Sequence, residues 1–180
     1  MNTQSLSNHF INIATTRKTS VKKSSLIHDW LGFKCSQSAS IRIGNYIEQL
    51  INERVSDNVK WMLDDNETII VDGKQHQVDH LLVDTDNTIW HLEAKCNLDL
   101  DRGKKRDVSF RETVITDALS KLTGQAVKSC VFCPLIEDSK QTSGLGYVMG
   151  MKEFISKFNP TFTLSEFNQL GKDPAIHSVL

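Results

Sequence analysis

The chain has 180 residues, 39% of them hydrophobic and 24% charged, which fits one folded domain and excludes a disordered chain. The 21 basic and 22 acidic side chains give a net charge of −1, so any nucleic-acid contact must come from local patches. No stretch reaches the roughly 20 apolar residues of a membrane span, and the apolar pair Phe10–Ile11 is too short for a signal-peptide core, so the four cysteines are expected as free thiols in the cytoplasm.

Residues 1–25 are rich in Ser, Thr, Asn and Lys and read as a polar arm, with a short helix near His9–Ala14. Ser25–Phe33 reads as a helical piece ending at Gly32. The first strong helix is expected over Ser40–Val55, where Ile43, Ile47, Leu50, Ile51 and Val55 recur at helical spacing. Three strands follow: Glu67–Val71, Gln75–Asp84 and Ile89–Asn97, joined by turns at Asp72-Gly73 and Thr85–Thr88. The third alternates cleanly, with Trp90, Leu92, Ala94 and Cys96 on one face and His91, Glu93, Lys95 and Asn97 on the other. The spacing Ser109-x-x-Glu112 predicts a helix start, and Val114, Ile115, Ala118, Leu119 and Leu122 carry that helix to Gly124. Lys128–Ile136 reads as a buried strand, Glu137–Gly146 as a loop, and Met151–Phe158 and Leu164–Leu170 as helices, the last opened by a Thr163-x-x-Glu166 capping box. The predicted order is αβββαβ followed by short helices. It implies an α/β core with a mixed β-sheet flanked by helices.

Charge is segregated along this order. Asp64–Asp101 holds ten acids and two bases, whereas Arg102–Thr113 holds five bases and two acids, and Arg17–Lys34 five bases and one acid. An acidic centre bordered by basic segments suits a metal site flanked by phosphate contacts, and it also suits solvated loops. Reflection about the Thr85–Thr88 turn puts Asp79 across from residue 94, beside Glu93 and Lys95, which share a face. Two carboxylates and an ammonium then converge. They form a cross-strand salt bridge on a solvated sheet face, or a site where a hard divalent cation relieves carboxylate repulsion. The upstream helical acid, Glu48, lies at the edge of the apolar face and reads either as a further metal group or as an exposed glutamate.

At Val78-Asp79 and Glu93-Ala94-Lys95, and in the αβββαβ order over about Ser40 to Ile136, the sequence resembles the PD-(D/E)xK nuclease superfamily. Val78 replaces the proline of the family's PD pair, and no Q-x-x-x-Y follows in the crossover-helix region. The stretch Glu93–Asp101, leading into Lys104 and Lys105, looks like the type II restriction endonucleases. The resemblance implies a restriction endonuclease-like fold and Mg²⁺-dependent hydrolysis of DNA to 5′-phosphate and 3′-hydroxyl ends. Asp79, Glu93 and the Ala94 carbonyl would hold the metal, with Glu48 for a second ion, and Lys95 would orient water and stabilise phosphate charge. It makes 40–136 the catalytic core of a single nuclease domain, to which the residue pattern adds a polar arm at 1–25 and a helical appendage at 137–180.

Arg102, Lys104, Lys105 and Arg106 follow the active-site strand and are the expected contacts to double-stranded DNA. Arg17–Lys23 and the Gln141–Ser143 loop are further candidates. His91 is expected as a surface histidine, and His76 and His80, four apart on a strand, as no ligand pair. Cys130-x-x-Cys133 lacks a second ligand pair for zinc and reads as buried free thiols. A palindromic site would call for a homodimer. The alternatives are a cleavage subunit working with a larger recognition subunit, and a DNA-binding protein that keeps the fold without the chemistry.

Overall fold

A computed structural model describes residues 26–55 and 68–172. The expected helix at His9–Ala14 and the candidate DNA contacts at Arg17–Lys23 lie outside the described residues. Helix α1 (Leu26–Leu31) ends where Gly32 turns left-handed at φ 78°. Helix α2 (Gln37–Arg54) starts three residues before the predicted Ser40, because Ser36 accepts from the Ala39 N–H as N-cap. Its face of Ala39, Ile43, Ile47, Leu50 and Ile51 is buried.

The predicted second strand is broken. Strands β1 (Thr68–Val71) and β2 (Lys74–Gln77) form a separate two-stranded hairpin over the Asp72-Gly73 turn. Val78-Asp79 then leaves the ladder, and β3 (His80–Val83) begins a second sheet. Strand β3 pairs antiparallel with β4 (Ile89–Ala94), His80 facing Leu92 and Val83 facing Ile89. Asp84 builds the turn between them: its Oδ1 accepts from the N–H groups of Asp86 and Thr88 at 3.0 and 2.8 Å, and its Oδ2 from Trp90 Nε1 at 2.8 Å. Continuing this register puts Asp79 across from Glu93, one residue from the predicted partner. Asp84–Thr88 is an odd-numbered loop, so the hairpin centre falls on Asp86.

Helix α3 (Arg102–Thr123) crosses over to β5 (Val127–Phe132), which lies parallel to β4. The helix begins at Arg102, seven residues before the predicted Ser109-x-x-Glu112 box. Its N-cap is Asp101, whose carboxylate accepts from the Lys104 N–H at 2.9 Å. Gly124 ends it at φ 66°. The predicted loop Glu137–Gly146 contains β6 (Lys140–Thr142), which pairs with β7 (Gly146–Met149). Strand β7 lies parallel to β5, so the hairpin extends the main sheet rather than joining a purely helical appendage. Helices α4 (Met151–Phe158) and α5 (Leu164–Gly171) follow, and the Thr163–Glu166 capping box forms.

The five-stranded mixed sheet, in the order β3-β4-β5-β7-β6, is covered on both faces. One face packs Leu82, Trp90, Leu92, Cys130 and Phe132 under α1, α2, α4 and α5. The other packs Leu81, Val83, Ile89 and Val127 under Ile115 and Leu119 of α3. The chain is thus a mixed α/β protein with flanking helices. No helix among the described residues is long and apolar enough to cross a membrane.

Candidate active site

The site lies where Val78-Asp79 leaves the ladder and β4 ends. Freed from pairing, Asp79 turns its carboxylate onto β4, and Oδ2 accepts from the Ala94 N–H at 3.0 Å. Lys95 Nζ contacts three oxygens: Ala94 O at 2.6 Å, Glu93 Oε1 at 3.0 Å and Asp79 Oδ2 at 3.3 Å. The structure therefore brings together the expected Asp79, Glu93, Ala94 and Lys95. Burial works to lower the Lys95 pKa. The negative charges of Asp79 and Glu93, with Glu48 behind them, outweigh it and hold the ammonium above its ordinary value.

Glu93 is 0% exposed, which is costly for a carboxylate unless cations meet it. Two do: Lys95, and Arg111 of α3, whose guanidinium lies 3.4 Å from Glu93 Oε1. Arg111 also donates to the Gln77 carbonyl at 3.3 Å, which ties it to the end of β2. Neither Glu93 oxygen has a hydrogen-bond partner among the described residues: Oε1 meets its two cations as ion pairs, and Oε2 meets neither. The sequence reading missed Arg111. The signal was present: Arg111 lies four residues before Ile115 and eight before Leu119, so it shares the inward stripe of a helix that starts at Arg102.

Glu48 is half-buried and lines a cleft of about 440 Å³ with Asn45, Gln49, Asn52, Gln77, Asp79 and Lys95. Its position follows from Gly44, one turn earlier, where a Cβ would meet Cys96 Cβ at 3.8 Å; this brings α2 close to the end of β4. The basic quartet is set apart. Arg102, Lys105 and Arg106 line a second cleft of about 450 Å³ with Leu100, Ser143 and Gly144, and Lys104 pairs with Asp101 at 3.6 Å. The turn after β6 and the start of α3 thus meet in space, although about 40 residues separate them in sequence.

His91 is a correction. It is 0% exposed, because α3 covers the face that its alternation assigned to solvent. Thr116 Oγ1 donates to the Glu112 carbonyl at 2.6 Å, so its contact of 3.2 Å with His91 Nδ1 has the imidazole as donor. His91 Nε2 is then a buried acceptor with no partner among the described residues. His80 is likewise buried, with Nδ1 at 2.6 Å from Asn52 Oδ1. Burial lowers both imidazoles to about 4. Nearby, burial raises the Glu112 carboxyl, with Glu93 adding to the effect.

Cys130 and Cys133 are free and buried, and burial pushes their thiols up to about 12 and about 11. No group of three or more His, Cys, Asp or Glu is gathered for a metal ion among the described residues. The donors at Lys95 are instead two carboxylates and a main-chain carbonyl. Hard oxygen donors of this kind, with one buried carboxylate oxygen unpartnered, fit magnesium, which takes one or two carboxylates and completes its shell with water and phosphate. Comparison of the chain with family models, with curated proteins and with solved structures gave no match.

Proposed function

We propose that the chain is a Mg²⁺-dependent DNA endonuclease of the PD-(D/E)xK type, acting as a type II restriction enzyme. The observation that carries this reading is the convergence of Asp79, Glu93 and the Ala94 carbonyl on the Lys95 ammonium, at the wall of an open cleft. Buried carboxylates with cation partners are also found in structural ion pairs. What favours chemistry is that Glu93 keeps an unpartnered oxygen and that Asp79 is held outside the strand ladder.

In this reading Asp79, Glu93 and the Ala94 carbonyl hold the metal, with Glu48 at the cleft wall for a second ion. Bound magnesium supplies Lewis-acid stabilisation of the phosphate and a water of lowered pKa. Lys95 orients the attacking water and donates to the phosphate oxygens as charge builds on them. Arg111 holds Glu93 in place through its ion pair. Arg102, Lys104, Lys105 and Arg106 hold the phosphate backbone. Arg102, Lys104 and Lys105 crowd the first turn of α3, with Arg106 next to them, where the helix dipole disfavours positive charge, and a polyanion would offset that cost.

The deciding experiment is incubation of the full chain with plasmid DNA and Mg²⁺, followed by sequencing of the ends. Discrete fragments with 5′-phosphates are expected from the wild type. Asp79→Asn and Glu93→Gln are expected to cut on the order of a thousandfold more slowly or worse, with duplex binding retained. Near-normal cutting by either variant rejects the site. A palindromic cut site makes a homodimer the simplest reader, which light scattering on the DNA complex checks. Cutting that appears only with a second protein points to a larger recognition subunit.

A further inference from the structure

Lys95 Nζ has three oxygens within 3.3 Å: it donates to the Ala94 carbonyl at 2.6 Å and to Asp79 Oδ2 at 3.3 Å, and it forms an ion pair with Glu93 Oε1 at 3.0 Å. These are the same three groups that would hold a divalent cation. The ammonium is therefore not beside the proposed metal position. It touches an oxygen of each of the three groups.

The surroundings fit this arrangement. Glu93 is wholly buried, and a buried carboxylate is costly unless a cation meets it. Arg111 cannot serve alone. It reaches Glu93 Oε1 at 3.4 Å, and its other contact is the Gln77 carbonyl rather than Asp79 or Ala94. Lys95 can serve because it sits at the end of β4, directly after Ala94, with a flexible stem and a side chain 27% exposed at the cleft. It has room to leave.

We infer that Lys95 is the resident cation of this site, so that a divalent ion binds only by displacing its ammonium from all three oxygens. The inference rests on the divalent-ion reading above and deepens it. The same side chain that is proposed to act on the phosphate first guards the metal position. Metal affinity in the free protein is held down, and loading of the site is tied to whatever draws the ammonium into the cleft, an entering phosphate above all. By linkage, the phosphate ligand and the metal then favour each other's binding.

The test is calorimetric titration of the full chain with Mn²⁺, without DNA, in the wild type, Lys95→Met and Arg111→Met. Losing a single charge-assisted contact shifts an equilibrium about tenfold, so Lys95→Met is expected to bind Mn²⁺ at least about tenfold more tightly than the wild type. Arg111→Met removes the same unit of charge from Glu93 without opening the three-oxygen cage, and a gain of less than about threefold is expected. Equal gains in the two variants would mean a general field effect and would overturn the displacement. So would a Lys95→Met protein that binds no more tightly than the wild type. Circular dichroism checks that each variant is folded, and Lys95→Gln replaces Lys95→Met if the latter is not. If these results go against the displacement while the wild type still cuts DNA with Mg²⁺, the nuclease reading stands alone. A wild type that neither binds Mn²⁺ nor cuts DNA overturns both.

Discussion

Glu93 shows how much of this site depends on single contacts. Its carboxylate lies under α3, where water cannot solvate it, and two cations, one from the end of β4 and one from α3, meet its Oε1. Breaking one partner of a buried ion pair typically costs several kcal/mol, but Arg111 is 37% exposed and Lys95 would remain, so the loss is smaller. Arg111→Met is expected to lower unfolding stability by about 1–2 kcal/mol in urea titration. Unchanged stability would mean that Lys95 alone balances Glu93. Asp79 owes its place to a different local cause. Leaving the ladder frees its carboxylate to accept from the Ala94 N–H, so a break in a strand rather than its continuation creates the first acid of the site.

At the scale of the element, α3 is the informative case. Ser109-x-x-Glu112 has the form of a capping box, yet both residues lie inside a 22-residue helix that Asp101 caps. A side chain that can cap does so only where the backbone enters the helix, and that point was fixed by the loop leaving β4. Asp101→Ala is therefore expected to cost about 1 kcal/mol and Ser109→Ala less than about 0.5 kcal/mol, both read by chemical denaturation. The reverse order would restore the later start. The longer helix carries consequences for function. It places Arg111 over Glu93, Thr116 over His91, and the basic quartet at the first turn beside the turn after β6.

For the whole molecule, the two covered sheet faces set the response to acid. His80 and His91 are buried with imidazoles lowered by burial to about 4, against about 6.5 in an unfolded chain. Between these values the unfolded state binds protons that the folded state does not, so stability is fully present above about pH 6.5 and is lost as pH falls towards 4. Each histidine contributes on the order of a few kcal/mol across that window. The expected outcome is a melting temperature that falls steeply from pH 6.5 to 4.5, and less steeply in a His91→Gln variant. NMR titration should find both imidazoles still neutral at pH 5.5. A curve that His91→Gln does not change would show that this histidine is not buried neutral.

Much of this protein was legible in its sequence. Helical periodicity marked α2, α4 and α5, because an amphipathic helix must turn its apolar stripe inward whatever lies opposite. The Asp72-Gly73 turn, the Gly32 and Gly124 stops and the Thr163 capping box are local backbone chemistry and need no partner. The approach of Asp79 to Glu93 and Lys95 was also within reach, since a hairpin register follows from its turn to within one residue. What depended on distant segments was not. Whether the His91–Glu93 face met water or a helix turned on the crossover of α3, and clean alternation describes a half-exposed strand only when nothing covers its polar side. Pairing of β7 with β5, and of β6 with β7, gave strand structure to a segment whose Ser, Thr and Gly read as loop, because ladder hydrogen bonds come from the neighbour and not from the sequence of the strand. Arg111 joined the site for the same reason: its side chain became a partner for Glu93 only once packing had brought α3 down onto the sheet and removed the water that would otherwise have solvated both charges.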